Sequence, residues 1–100
     1  MKIETDGQTL RVSAVHQLGA ANAHAFREGV RDALDDTQKD IDIDLSATTF
    51  LDSCGLGALV ALHKTASSRK GTVRLLNPPP PVQQLLELAR MDRLLEIVKS

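Results

Sequence analysis

Thr49-Phe50-Leu51-Asp52-Ser53-Cys54-Gly55-Leu56-Gly57-Ala58-Leu59-Val60 follows an alternating run, Ile41-Asp42-Ile43-Asp44-Leu45, and leads into an apolar periodic one. A period of two giving way to a period of 3.6 across a short connection reads as strand, turn and helix start. Ser53 lands at or beside the cap of that helix. A hydroxyl there is expected to face free backbone N–H groups and the positive end of a helix dipole, a setting that tolerates an added phosphate. The stretch is thus a candidate switch.

Upstream, Ile41, Ile43 and Leu45 alternate with Asp40, Asp42 and Asp44. A parallel strand covered on both faces is nearly all apolar, so the alternation predicts a sheet with one open face. On that face Arg11 and Arg74 from neighbouring strands are expected to pair with the carboxylates. The three aspartates lie in a line with no loop to wrap an ion, so a metal site is not assigned to them. Asp35-Asp36-Thr37-Gln38-Lys39 is a polar break, and before it a helical stripe of Ala23, Phe26, Val30, Ala33 and Leu34 predicts a helix from Gly19 to about Asp36, capped by Asn22 or Gly19. Earlier still, Lys2 to Thr5 and Gln8 to Ser13 read as two strands joined by an Asp6-Gly7 hairpin turn.

Downstream, Leu56, Leu59, Val60 and His63 share one helical stripe, and Lys64, Arg69 and Lys70 gather toward the C-terminal end, where cations suit the dipole, before Gly71 stops the helix. Thr72 to Leu76 reads as a strand. Pro78 to Pro81 form a stiff connector, with Pro81 in the first turn of a helix carrying Val82, Leu85, Leu86 and Ala89. Glu96-Ile97-Val98 is a last short strand or edge. The alternation of strands and helices, without repeat or internal linker, predicts one α/β domain over residues 1–100. Its sheet has four to five strands of mixed direction, with helices mainly on one face.

Composition excludes several classes. The apolar fraction of 42% and charged fraction of 25% are those of a folded globular chain rather than a disordered one. Twelve basic and thirteen acidic residues give a net charge of −1, and only 2% of residues are aromatic. Neither a positive field nor stacking rings are present for nucleic acid, so none is expected as a partner. No run of about 18 apolar residues and no secretory leader is seen, so membrane insertion is not expected and the reading is cytoplasmic. Cys54 is the single cysteine, which removes internal disulfides and cysteine-based zinc clusters.

The same stretch does not read as a catalytic one. A hydrolase elbow wants G-x-S-x-G, but Leu51-Asp52-Ser53-Cys54-Gly55 lacks the first glycine. His16, His24 and His63 lie in separate elements without metal-ligand spacing, so no metal and no cofactor is assigned. Gly55 and Gly57 do not make a phosphate-binding loop, and are expected to let the helix approach the sheet closely. Cys54 at a helix start could carry a reactive thiolate, but the preferred reading is a small residue packed beneath the first turn.

Asp44-Leu45-Ser46-x-x-x-x-Leu51-Asp52-Ser53-x-Gly55-Leu56-Gly57 closely resembles the signature of the STAS domain found in bacterial anti-sigma-factor antagonists. The order of hairpin, helices and strands follows that family over nearly the whole chain. The resemblance implies a non-enzymatic partner switch: the unphosphorylated antagonist binds a serine-kinase anti-sigma factor and frees the sigma factor. The kinase then phosphorylates the serine after the aspartate, here Ser53, and a serine phosphatase removes the phosphate. Asp52, Ser53, Cys54, Gly55, Leu56 and Gly57 would form the partner-binding surface, and ATP and magnesium would belong to the kinase. Many antagonists carry Gly-Glu-Leu-Asp before the first helix, where this chain has His16-Gln17-Leu18-Gly19. That difference motivates an alternative, a STAS module serving as a fixed structural subunit, for example of a lipid-transport ABC complex.

Overall fold

The computed structural model describes residues 1–99. Five strands form the main sheet: β1 (Lys2–Asp6), β2 (Thr9–Ser13), β4 (Asp40–Asp44), β6 (Val73–Leu76) and β7 (Glu96–Val98), in that spatial order. β1 is antiparallel to β2, and every other pairing is parallel. Three helices, α1 (Ala23–Ala33), α2 (Ser53–Ser68) and α3 (Pro80–Leu88), supply the crossovers. A second sheet of two residues per strand joins β3 (Gln17–Leu18) to β5 (Phe50–Leu51) in parallel. The mixed sheet with helices on one face is the expected α/β architecture, whereas the β3–β5 ladder is an addition.

Strand register explains the layering. Val12, Ile43 and Leu75 align across β2, β4 and β6, as do Leu10, Ile41 and Val73, and all are buried in one core with Phe26, Val30, Leu59, Leu62 and Leu86 from the helices. The opposite face carries a row that alternates in charge across all five strands: Glu4, Arg11, Asp42, Arg74 and Glu96. This face is open but not uniformly wet. Asp42 is only 2% exposed, because long arginine stems flank it and the Arg74 guanidinium grips both carboxylate oxygens at 2.7 and 2.6 Å. The expected Arg74 pairing is present, but Arg11 turns instead to Asp6 at 3.2 Å. Asp40 accepts from the Thr72 N–H at the start of the neighbouring strand and lies 3.6 Å from the Lys39 ammonium, while Asp44 accepts from the Ser46 N–H two residues on.

Several boundaries differ from the sequence expectation. The hairpin turn is Gly7-Gln8, since Asp6 pairs with Thr9 and Gly7 takes φ +61 at the first loop position, where a two-residue turn of this kind needs glycine. Helix α1 is shorter than Gly19–Asp36. Asn22 flanks its start but does not cap it; its side chain accepts from the Gly19 N–H and donates to the Gln17 carbonyl, shaping the approach. In α2 the core stripe is Gly55, Ala58, Leu59, Leu62 and Ala66, while Leu56, Val60 and His63 are half-buried at its flank. The helix ends with Lys70 in the left-handed region, φ +62. Gly71 serves a different need, because a Cβ there would lie 1.8 Å from the Lys39 carbonyl oxygen. Arg69 does not serve the end of its own helix, since its guanidinium donates to the Asp35 and Gln38 carbonyls and ties α2 to the loop before β4. Pro80 and Pro81 occupy the first turn of α3, which buries Val82 and Leu86 and leaves Ala89 exposed at its end. Among the described residues no helix is long and apolar enough to cross a membrane.

Candidate functional site

The start of α2 is held in place by a segment more than thirty residues earlier. The β3–β5 ladder lays Leu18 beside Leu51, and the Asp52 N–H continues the pairing by donating to the Leu18 carbonyl at 3.3 Å. Two glycines allow this contact. A Cβ on Gly55 would lie 2.1 Å from the Leu18 oxygen, and one on Gly19 would lie 2.6 Å from the Phe50 ring and 2.7 Å from the Asp52 carboxylate. At Gly55 backbone therefore meets backbone, and at Gly19 backbone meets the Phe50 and Asp52 side chains, where an added side chain would press the two segments apart.

Asp52 uses both carboxylate oxygens. Oδ1 accepts from the Cys54 and Gly55 N–H groups at 2.9 and 3.1 Å, which makes Asp52 the N-cap of α2. Oδ2 accepts from the Ala20 N–H at 3.0 Å, bridging to the turn before α1. Donation from the Gly55 and Ala20 N–H groups, with a lesser share from Cys54, outweighs the opposing effect of burial and holds this carboxyl below the usual carboxylate range. The donors that a phosphate was expected to use are thus largely engaged already: the N–H groups of Cys54 and Gly55 belong to Asp52.

Ser53 is the first residue of α2 and is exposed, and among the described residues its hydroxyl has no hydrogen-bond partner. Cys54 is exposed as well, not packed beneath the first turn, because Gly55 is the residue that faces the core. Gly57 is likewise exposed with nothing within 4 Å of a Cβ, so only Gly55 answers to the expected close packing. The bare backbone at Gly57 opens a shallow groove of about 360 Å³ between α1 and α2, shared with Cys54, Ala20, Ala23, His24 and Arg27. Phe50, 51% exposed, lays its ring edge against Gly19. Of the six residues predicted for the surface, Ser53, Cys54 and Gly57 are presented outward, Leu56 is half-buried, and Asp52 and Gly55 build the scaffold.

Sequence reasoning missed Phe50, His24 and Arg27. Their signals were present but weak: an apolar residue on a short strand just before the helix cap, and two polar residues three apart on the wet face of α1.

A family model described as "Mlab, STAS domain" matches residues 1–97 of this chain. The chain belongs to the STAS domain family. A Thermotoga maritima protein provisionally named an anti-sigma factor antagonist is 34% identical over 82 residues, covering 81% of this chain and 73% of that one. A STAS-domain containing protein of Pseudomonas aeruginosa is 29% identical over 93 residues, covering 92% of this chain and 90% of its own length. The crystal structure of the Thermotoga maritima protein matches this STAS domain with a TM-score of 0.90 at 27% identity, over 99% of this chain and 85% of that one. The anti-sigma factor antagonist SpoIIAA in its unphosphorylated form has the same fold, with a TM-score of 0.84 at 17% identity, over 99% of this chain and 86% of its own.

Proposed function

We propose that this STAS domain is a non-enzymatic regulator, an anti-sigma-factor antagonist whose unphosphorylated form binds a serine-kinase anti-sigma factor and releases the sigma factor. Phosphorylation of Ser53 blocks that binding, and a serine phosphatase restores it. The observation that carries this reading is the exposed Ser53 hydroxyl at the head of a helix whose cap, Asp52, already engages the nearest N–H donors. A phosphate there adds close to two negative charges beside an ionised carboxylate, on a surface a partner must desolvate. A loss of ~3 kcal/mol lowers affinity by more than a hundredfold, enough to reverse a competition without a change of fold. Support comes from relatives named as antagonists and from the fold's likeness to SpoIIAA, which is known in unphosphorylated and phosphorylated forms. The domain would act in the cytoplasm, and ATP and magnesium would be the kinase's.

Incubation with a purified serine-kinase anti-sigma protein of the same organism and ATP, followed by mass spectrometry, tests the reading. Modification of Ser53, retained binding by Ser53→Ala and weakened binding by Ser53→Asp are expected. Tight binding by both variants with no modification sinks it.

A second reading is a fixed structural subunit, for example of a lipid-transport ABC complex. It is favoured by Gly19, which stands where many antagonists carry an acid and where a side chain would have to displace the Phe50 ring and the Asp52 carboxylate. Co-purification with a membrane permease, and not with a soluble kinase, would select it.

A further inference from the structure

Among the described residues, β2 is the only strand that pairs with β1, and it does so in an unbroken register from Lys2 to Asp6. A two-residue loop closes on a hydrogen-bonded pair, Asp6 with Thr9, and along an antiparallel ladder such pairs alternate with non-bonded ones. Lys2, Glu4 and Asp6 thus spend their N–H and C=O groups on β2, whereas those of Ile3 and Thr5 point away from it along a free edge. The opposite edge of the sheet, β7, has three residues and is a poorer template.

The side chains select what can pair there. Lys2, Glu4 and Asp6 are exposed on the face without helices, while Ile3 is half-buried on the core side, where Met1, 57% exposed, reaches toward Gly29 of α1. A second copy of the chain can add antiparallel to β1 about a two-fold axis, and three registers centred in the middle of the strand keep both faces aligned. Centring on Thr5 sets each Glu4 against Asp6 of the other copy. Centring on Glu4 sets the two Glu4 side chains against each other. Centring on Ile3 sets each Lys2 opposite Glu4 of the other copy and Ile3 opposite Ile3, with no like charges opposed. Lys2 already lies 3.1 Å from Glu4 of its own strand, so the four groups then alternate in sign around a ring, each between two opposite charges. Charges that guard a strand edge against pairing elsewhere here match themselves. We infer that the protein self-associates through this edge as a two-fold β1–β1 dimer centred on Ile3, its two five-stranded sheets joined into one. Backbone hydrogen bonds at Ile3 supply the attraction, and the exposed charges select the register. No residue of the β3–β5 ladder or of α2 enters the pairing, so the dimer carries two Ser53 sites, and the inference does not depend on the antagonist reading.

Sedimentation equilibrium of the full chain over a concentration series reaching about 1 mM, at low and high salt, measures the association. A monomer–dimer equilibrium weakened by salt is expected. Lys2→Glu and Glu4→Lys each oppose like charges at both contacts and should weaken dimerisation about tenfold or more. An equimolar mixture of the two variants should recover it as a heterodimer, because each reversed residue then meets its complement. Ile3→Pro removes the central N–H donor without touching the β2 ladder, and should leave a monomer with the circular dichroism of the wild type. A wild-type chain that stays monomeric throughout the series overturns the inference, and so does a dimer that the charge reversals leave unchanged or that the mixture fails to restore.

Discussion

Gly55 and Gly57 lie two residues apart on one helix, yet alanine should act on them with opposite sign. At Gly55 the new Cβ would sit 2.1 Å from the Leu18 carbonyl oxygen and 2.7 Å from Leu51 Cδ1. An ordinary carbon–oxygen contact closes at about 3.3 Å, so the first turn of α2 must retreat by about 1 Å from β3. That movement stretches the Asp52 bridge to Ala20. Overpacking costs about 1–3 kcal/mol, with a backbone obstacle placing it at the upper end, and the gain in helix propensity returns at most about 1 kcal/mol. A net loss of about 2 kcal/mol is expected, which for a chain this size lowers Tm by roughly 8–16 °C. At Gly57 nothing lies within 4 Å, and Gly57→Ala should raise stability by about 0.5–1 kcal/mol. Urea titration with an unchanged m value, together with thermal melts followed by circular dichroism, measures both. A Gly55→Ala protein at or above wild-type stability would refute the reasoning that bare backbone contact holds the site.

Removing Arg74 should cost more than removing its partner. Arg74→Ala strands the buried Asp42 carboxylate, an expected loss of about 3 kcal/mol, whereas Asp42→Ala leaves a partly exposed guanidinium that water can serve, at about 1–2 kcal/mol; denaturant midpoints decide the order. Lys70→Gly relieves a left-handed residue at φ +62 and should stabilise by about 0.5–1 kcal/mol, read in the same titration. The Asp52 carboxyl is held low in the fold, so its contribution is complete above the unfolded carboxylate's range and fades as pH falls through the folded value. The stability gap between wild type and Asp52→Ala should accordingly be widest near neutral pH and narrow toward pH 3, and a gap that does not change with pH would exclude the cap as its source.

How far the fold and site could be read in advance depended on distance along the chain. The period-two run Ile41 to Leu45, the stripe Ala23-Phe26-Val30 and the prolines before Val82 each report one element's own geometry, and each element formed where its pattern lay. Ser53, read as lying at or beside the cap before an apolar periodic run, is the first residue of α2, next to the cap Asp52. The errors share one cause. Which of Gly55 and Gly57 meets backbone, whether Cys54 faces in or out, and whether Asp42 is wet depend on what other segments bring opposite them.

Local sequence determined the α/β order, the buried face of each strand and the place of Ser53 at a helix start, because hydrophobic periodicity and capping act within a few residues. Tertiary structure alone decided that the Leu18–Ala20 segment would dock on Asp52 and Gly55, and that this docking would use the N–H groups at the helix head. It also decided that α1 would set Arg27 across a groove from Gly57. Those contacts join residues about thirty apart, and only the packing of the two-stranded ladder and the helix pair against one core specifies them.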